Sequence, residues 1–162
     1  MSLIRNGELE TDDWVYVSDD EELPRQGGII VSASRWESEK QSLKVRPTPV
    51  GVRLNADMTL NGIAGDLHSI DLVALAFPMF TDGRAYSAAR TLREKYGYKG
   101  EIRAVGNVLR DQLAFMTRCG FDSFEVGDAI TPAILQNAIS EIDTCYQPAS
   151  DAGIPAYRLR HG

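Results

Sequence analysis

An α/β fold with a mainly parallel sheet is what this sequence predicts, on three observations. Short apolar runs alternate with helical periodicity from residue 28 onward. One of them, Leu72–Phe77, is apolar throughout, as a central parallel strand covered on both faces must be. Most runs end in polar residues such as Ser, Asn, Asp and Arg, which strand-to-helix corners collect at the site-bearing end of such sheets.

Residues 1–27 read as an acidic leader. Asn6-Gly7 is a turn signal and Trp14–Val17 a short strand, together a β extension able to cover a sheet edge. The α/β domain spans 28–146. Its first strand is Gly28–Val31. Ser34 and Glu37 have capping-box spacing and open a helix to about Leu43, which Pro47 and Pro49 terminate. Val50–Leu54 is the second strand. Asp57 can cap a helix whose Leu60, Ile63, Ala64 and Leu67 share a face, though Gly62 and Gly65 cost it about 1 kcal/mol each relative to Ala. The third strand, Leu72–Phe77, precedes a helix from about Tyr86 to Tyr96, stopped by Gly97. Ile102–Val105 is the fourth strand, and Val108–Cys119 a helix ending at Gly120. Ser123–Val126 is the fifth strand. Thr131-Pro132 then caps a helix with Ile134, Leu135, Ala138, Ile139 and Ile142 inward. Residues 147–162 read as a loosely ordered tail.

Five β/α units imply a five-stranded, mainly parallel sheet with right-handed crossovers. They are too few for a closed eight-stranded barrel, which takes about 250 residues. An open doubly wound sheet and a partial barrel remain.

A chain of 162 residues, 43% hydrophobic and 25% charged, suits one packed domain. The formal net charge of -6 argues against nucleic acid as a partner. No apolar run approaches the ~20 residues that span a bilayer, and no secretory signal is legible. Cys119 and Cys145 are widely separated and read as reduced thiols, so a cytoplasmic protein is expected. Charge is uneven. Asp12, Asp13, Asp19, Asp20, Glu21 and Glu22 crowd the leader, whereas Arg84, Arg90, Arg93, Lys95, Lys99, Arg103, Arg110 and Arg118 outnumber the acids between Arg84 and Arg118. That span can present a local positive field to a small anion.

The carboxyl ends of the strands should share one rim. They deliver Ser32, Ser34 and Arg35, then Asn55 and Asp57, then Thr81, Asp82 and Arg84. Gly106, Asn107, Arg110 and Asp111 follow the fourth strand and Asp128 the fifth. Thr81, Asp82, Arg84, Asn107 and Arg110 are the candidate anion-binding residues, because guanidinium forks beside helix N-termini suit oxyanions. Asp82, Arg84, Tyr86 and Asp111 are the candidate catalytic groups. The plainer reading is that Asp82 with Arg84, and Arg110 with Asp111, are caps and ion pairs that hold loops. Tyr86 with Ser87 can donate protons, but such a tyrosine more often packs on the sheet with its hydroxyl wet. Cys119, at a helix C-terminus, reads as packing. His68 and His161 are isolated, so no metal site is expected. No phosphate loop, dinucleotide fingerprint, CxxC or HExxH is present, so no cofactor is expected.

The run Phe77–Ser87 and the block Gly106–Leu113, with the opening Leu3–Val17, resemble the bacterial DUF934 family over about Val50 to Val126. Met79 stands where that family commonly has lysine, Ala85 where glycine is common and Asn107 where aspartate is common. Thr81, Asp82, Gly83, Arg84, Arg110, Asp111 and Gln112 match. Members are commonly labelled oxidoreductases of sulfite reduction. The resemblance therefore implies a place in sulfur assimilation, with sulfite reductase components as partners, and no mechanism. The residues fit an accessory that holds a small oxyanion or docks to a reductase component better than an independent redox enzyme of the same pathway. A homodimer is left open.

Overall fold

The computed structural model describes residues 2–55, 59–77, 83–127, 130–134, 136–137 and 140. Its sheet has eight strands in the order β2-β1-β8-β7-β6-β5-β4-β3. These are β1 (Ser2–Arg5), β2 (Glu8–Glu10), β3 (Trp14–Tyr16), β4 (Gly28–Ser32), β5 (Val50–Leu54), β6 (Leu72–Phe77), β7 (Glu101–Gly106) and β8 (Ser123–Val126). β4 to β8 are the five parallel strands expected, and β6 lies between β5 and β7. The leader raises the count from five to eight. β1 and β2 form an antiparallel hairpin on the β8 edge, turning at Asn6 and Gly7, both with positive φ. β3 pairs parallel with β4 at the opposite edge.

Strand order from β3 to β8 follows the chain, so each right-handed crossover steps the same way and its helix falls on the same face. The sheet is therefore a curled half-barrel rather than doubly wound. The curl has a simple geometric cause. Eight flat strands at about 4.8 Å spacing would hold the edges about 34 Å apart. Only Thr11–Asp13 join β2 to β3, and four peptide steps reach about 15 Å.

The helices differ from their sequence signals at the ends. α1 (Ala33–Lys44) is capped by Ser32, whose hydroxyl accepts the Arg35 amide, so Ser34 lies inside the helix and forms no capping box with Glu37. The helix expected over 57–67 is two 3-10 turns, Leu60–Gly62 and Ala64–Ser69, capped at Thr59. Two glycines within four residues give a regular helix too little support. Asp57 lies outside the described residues. α2 (Arg84–Arg90) widens into a π turn, Thr91–Lys95, before Gly97 at φ 62°. α3 (Leu113–Cys119) starts later than expected, after a 3-10 turn at Arg110–Gln112, and ends on Gly120 at φ 116°. The Thr131 hydroxyl accepts the Ile134 amide as the cap signal requires. Leu135, Ala138, Ile139, Ile142 and the tail lie outside the described residues.

The convex face carries the main core: Val52, Val73, Leu75, Phe77, Ile102 and Phe124 against Trp36, Leu92, Leu113 and Met116. The concave face is smaller and mixed. Ile30, Leu72, Ala74, Ala76 and Val105 form an apolar floor with Trp14 beside it. Gly51 faces the same way, where a Cβ would lie 3.1 Å from Leu72 and 3.2 Å from Ile30. On that floor sits Arg103, 0% exposed. Its guanidinium lies 3.1 Å from Asp12, 3.3 Å from Glu101 and 3.6 Å from Glu125. Glu101 also takes Arg5 at 3.1 Å and the Ser123 hydroxyl at 2.7 Å. Tyr16 on β3 donates to Glu125 on β8, five places away in the sheet. Burial works against the Arg103 charge, but the surrounding carboxylates outweigh it and push its pKa up.

Arg103→Met should destabilise the fold by about 3–5 kcal/mol, because Glu125 and Asp12 lose their counter-charge and Glu101 keeps only Arg5. Urea unfolding followed by circular dichroism measures it. A loss under about 1 kcal/mol would mean that the cluster does not hold the half-barrel closed.

Candidate functional site

Parallel strands deliver their corners to one rim, and the described candidates sit there. β7 ends in Gly106, whose φ of 88° and whose position, with a built Cβ 2.6 Å from the Phe77 carbonyl, admit only glycine. The turn sends the Asn107 amide to that carbonyl at 2.7 Å, tying the end of β7 to the end of β6. Asn107, Leu109, Arg110 and Asp111 are then exposed beyond it. Arg84 opens α2, the helix that follows β6. It lines a crevice of about 20 Å³ with Leu54, Asn55, Leu75, Ala76, Ala85 and Ala88. That volume holds one water-sized oxygen.

Thr81, Asp82 and Asp128 lie outside the described residues. The remaining candidates are only partly brought together. Arg84 and Asn55 share the crevice, whereas Arg110 is not in its lining and pairs with its neighbour Asp111 at 3.2 Å. Arg35 is buried and structural: it holds Glu39 at 2.7 Å and the Ser18 carbonyl. The basic span is likewise reduced at the surface. Arg93 is turned inward, bridging Asp122 at 2.7 Å and the carbonyls of Tyr98, Gly100 and Gly120. Arg103 is the buried hub of the concave face.

Tyr86 differs from its expectation. Its hydroxyl is buried rather than wet, and no described residue hydrogen-bonds it. The ring packs edge-on to Phe77 at 5.0 Å and tilted against Phe115 at 4.9 Å. Burial, with the Cys119 sulfur nearby, pushes the phenol up to about 12. A phenol held that firmly protonated is a poor proton donor at neutral pH. Cys119 is buried as expected. Burial raises its thiol pKa, against the opposing pull of Arg90, whose Nε donates to Sγ at 3.4 Å.

Sequence reasoning missed two features. Arg103 looked like one more surface cation, although its alternation with Glu101 and Val105 on a strand places it on the concave face. A wider groove of about 400 Å³ lies at the other end of the sheet, between the loops preceding β6 and β7, with His68, Asp71, Tyr96 and Lys99 in its lining. No spacing signal joins those residues. Among the described residues no group of three His, Cys, Asp or Glu side chains could hold a metal ion, and no helix is long and apolar enough to cross a membrane.

Fold and rim define a singly wound α/β half-barrel whose strand-end corners carry arginine and asparagine. The chain belongs to the DUF934 family, described as bacterial protein of unknown function, whose model matches residues 51–157. No curated protein matches it significantly.

Tyr86→Phe should leave stability unchanged or raise it by up to about 1 kcal/mol, since it removes a buried hydroxyl that no described group satisfies. In the wild type, alkaline titration at 295 nm should show one tyrosine class ionising near pH 12, absent from the variant. Clear destabilisation of the variant would reveal a partner for the hydroxyl.

Proposed function

We propose that this protein is an accessory of sulfite reduction that holds a small oxyanion at the strand-end rim. Arg84 supplies the charge and Asn55 a neutral donor beside it, with Asn107 and Arg110 on the adjoining corner. The observation that carries the reading is the crevice between the ends of β5 and β6, which has room for a single oxygen and counts Arg84 and Asn55 in its lining. The rim is also where parallel α/β folds gather ligand contacts. The sulfur chemistry comes from the family resemblance and from the fit of a small, doubly charged oxyanion to guanidinium.

An enzyme using Asp82, Arg84 and Asp111 is the alternative. Tyr86 and Cys119, the side chains best suited to proton or electron chemistry, add no support to it. The Tyr86 hydroxyl and the Cys119 thiol are buried, and both pKa values are raised.

Titration calorimetry with sodium sulfite and with sodium sulfate at low salt tests the binding. The wild type should bind one of them saturably, and Arg84→Glu should weaken that by roughly tenfold or more (about 1.4 kcal/mol) with an unchanged circular dichroism spectrum. Absence of saturable heat from both anions would overturn the reading. So would purified protein that oxidises a reduced electron donor when sulfite is added.

A further inference from the structure

We propose that the wider groove, at the end of the sheet away from the rim, binds a free amino acid with a large apolar or aromatic side chain. The groove, of about 400 Å³, lies between the loops that precede β6 and β7, and its lining includes Leu67, His68, Asp71, Tyr96 and Lys99. That size falls within the ~300–1,000 Å³ of small-molecule sites. Its walls are fastened before any ligand arrives, so little ordering is left to be done on binding. The Tyr98 hydroxyl donates to the Ile70 carbonyl at 2.8 Å. Arg93 donates to the carbonyls of Tyr98 and Gly100 at 2.6 Å and 2.9 Å. One carboxylate oxygen of Asp71 accepts the Val50 amide at 3.0 Å.

The π turn over Thr91–Lys95 leads straight into this groove. The Tyr96 amide reaches back to the Thr91 carbonyl at 3.2 Å. The extra residue rotates the chain that follows by roughly a quarter turn relative to an α-helix. Single π turns of this kind gather at functional sites, and this one delivers Tyr96 to the groove lining.

Charge names the ligand. Asp71 and Lys99 line the same groove and both are exposed, yet among the described residues neither forms an ion pair, with the other or elsewhere. They come from the starts of adjacent strands, where Leu72 of β6 stands beside Glu101 of β7. A plain anion would meet the Asp71 carboxylate, and a plain cation the Lys99 ammonium. A zwitterion satisfies both. Its carboxylate goes to Lys99, with the exposed His68 imidazole as a second partner, and its ammonium to the remaining Asp71 oxygen. Its side chain lies against Leu67 and the Tyr96 ring. The groove shares no residue with the crevice of Arg84 and Asn55, so the proposal stands or falls apart from oxyanion binding.

Proton NMR on the untagged full chain is the test. The chain has two histidines, so His161→Gln leaves His68 as its single imidazole. L-Phenylalanine should move the His68 ring signals saturably. 3-Phenylpropionate lacks the ammonium, phenethylamine lacks the carboxylate and L-alanine lacks the ring, and each should bind roughly tenfold or more weakly. In the same background, Lys99→Ala and Asp71→Asn should each weaken phenylalanine binding by roughly tenfold. Asparagine keeps an acceptor for the Val50 amide and Lys99 is exposed, so the fold tolerates both changes. Signals that stay in place up to about 10 mM phenylalanine would overturn the proposal. So would any of the three analogues binding as tightly as phenylalanine, or either variant binding it like the parent.

Discussion

The half-barrel depends on a buried charge. Arg103 is taken wholly out of water on the concave face, and a guanidinium in that position is tolerable only if carboxylates surround it. Glu101 from its own strand and Glu125 from the next supply part of that charge, and Asp12 supplies the rest from the three-residue strap. The strap is short enough to force the sheet edges together. The same segment therefore sets the curvature and completes the ion cluster that the curvature encloses. Tyr16 repeats the logic by reaching across the concavity to Glu125. Gly51 lets Leu72 and Ile30 close over it, and with Ala74 and Ala76 the apolar part of the concave floor stays low.

Arginine serves opposite ends in this molecule according to where the sheet places it. Arg93 and Arg103 are spent on fixed acceptors and carbonyls in the interior, where five donors in a rigid fork satisfy several groups at once. Arg84 and Arg110 emerge at strand ends, where parallel pairing gathers corners from separate units. The turn at Gly106 makes that gathering close, because it brings the Asn107 amide onto the last carbonyl of β6. Rim and concave face are thus two products of one singly wound sheet. One is a set of exposed corners, the other an interior whose buried charges are paired across strands.

Local pattern by itself determined the five parallel strands, the central place of Leu72–Phe77, the Asn6-Gly7 turn, and the stops at Gly97 and Gly120. These depend on backbone preference and on burial of one apolar face, both of which leave a periodic trace. Their ends were less legible. Ser34 with Glu37 imitates a capping box, yet the true cap is Ser32, because β4 delivers the chain to the helix two residues earlier. Tertiary structure alone decided the curl, the strands added by the leader, and the burial of Arg103 and the Tyr86 hydroxyl. Whether an arginine faces solvent or three carboxylates depends on strands far apart in sequence meeting across a concavity, and charge composition along the chain carries no record of that meeting.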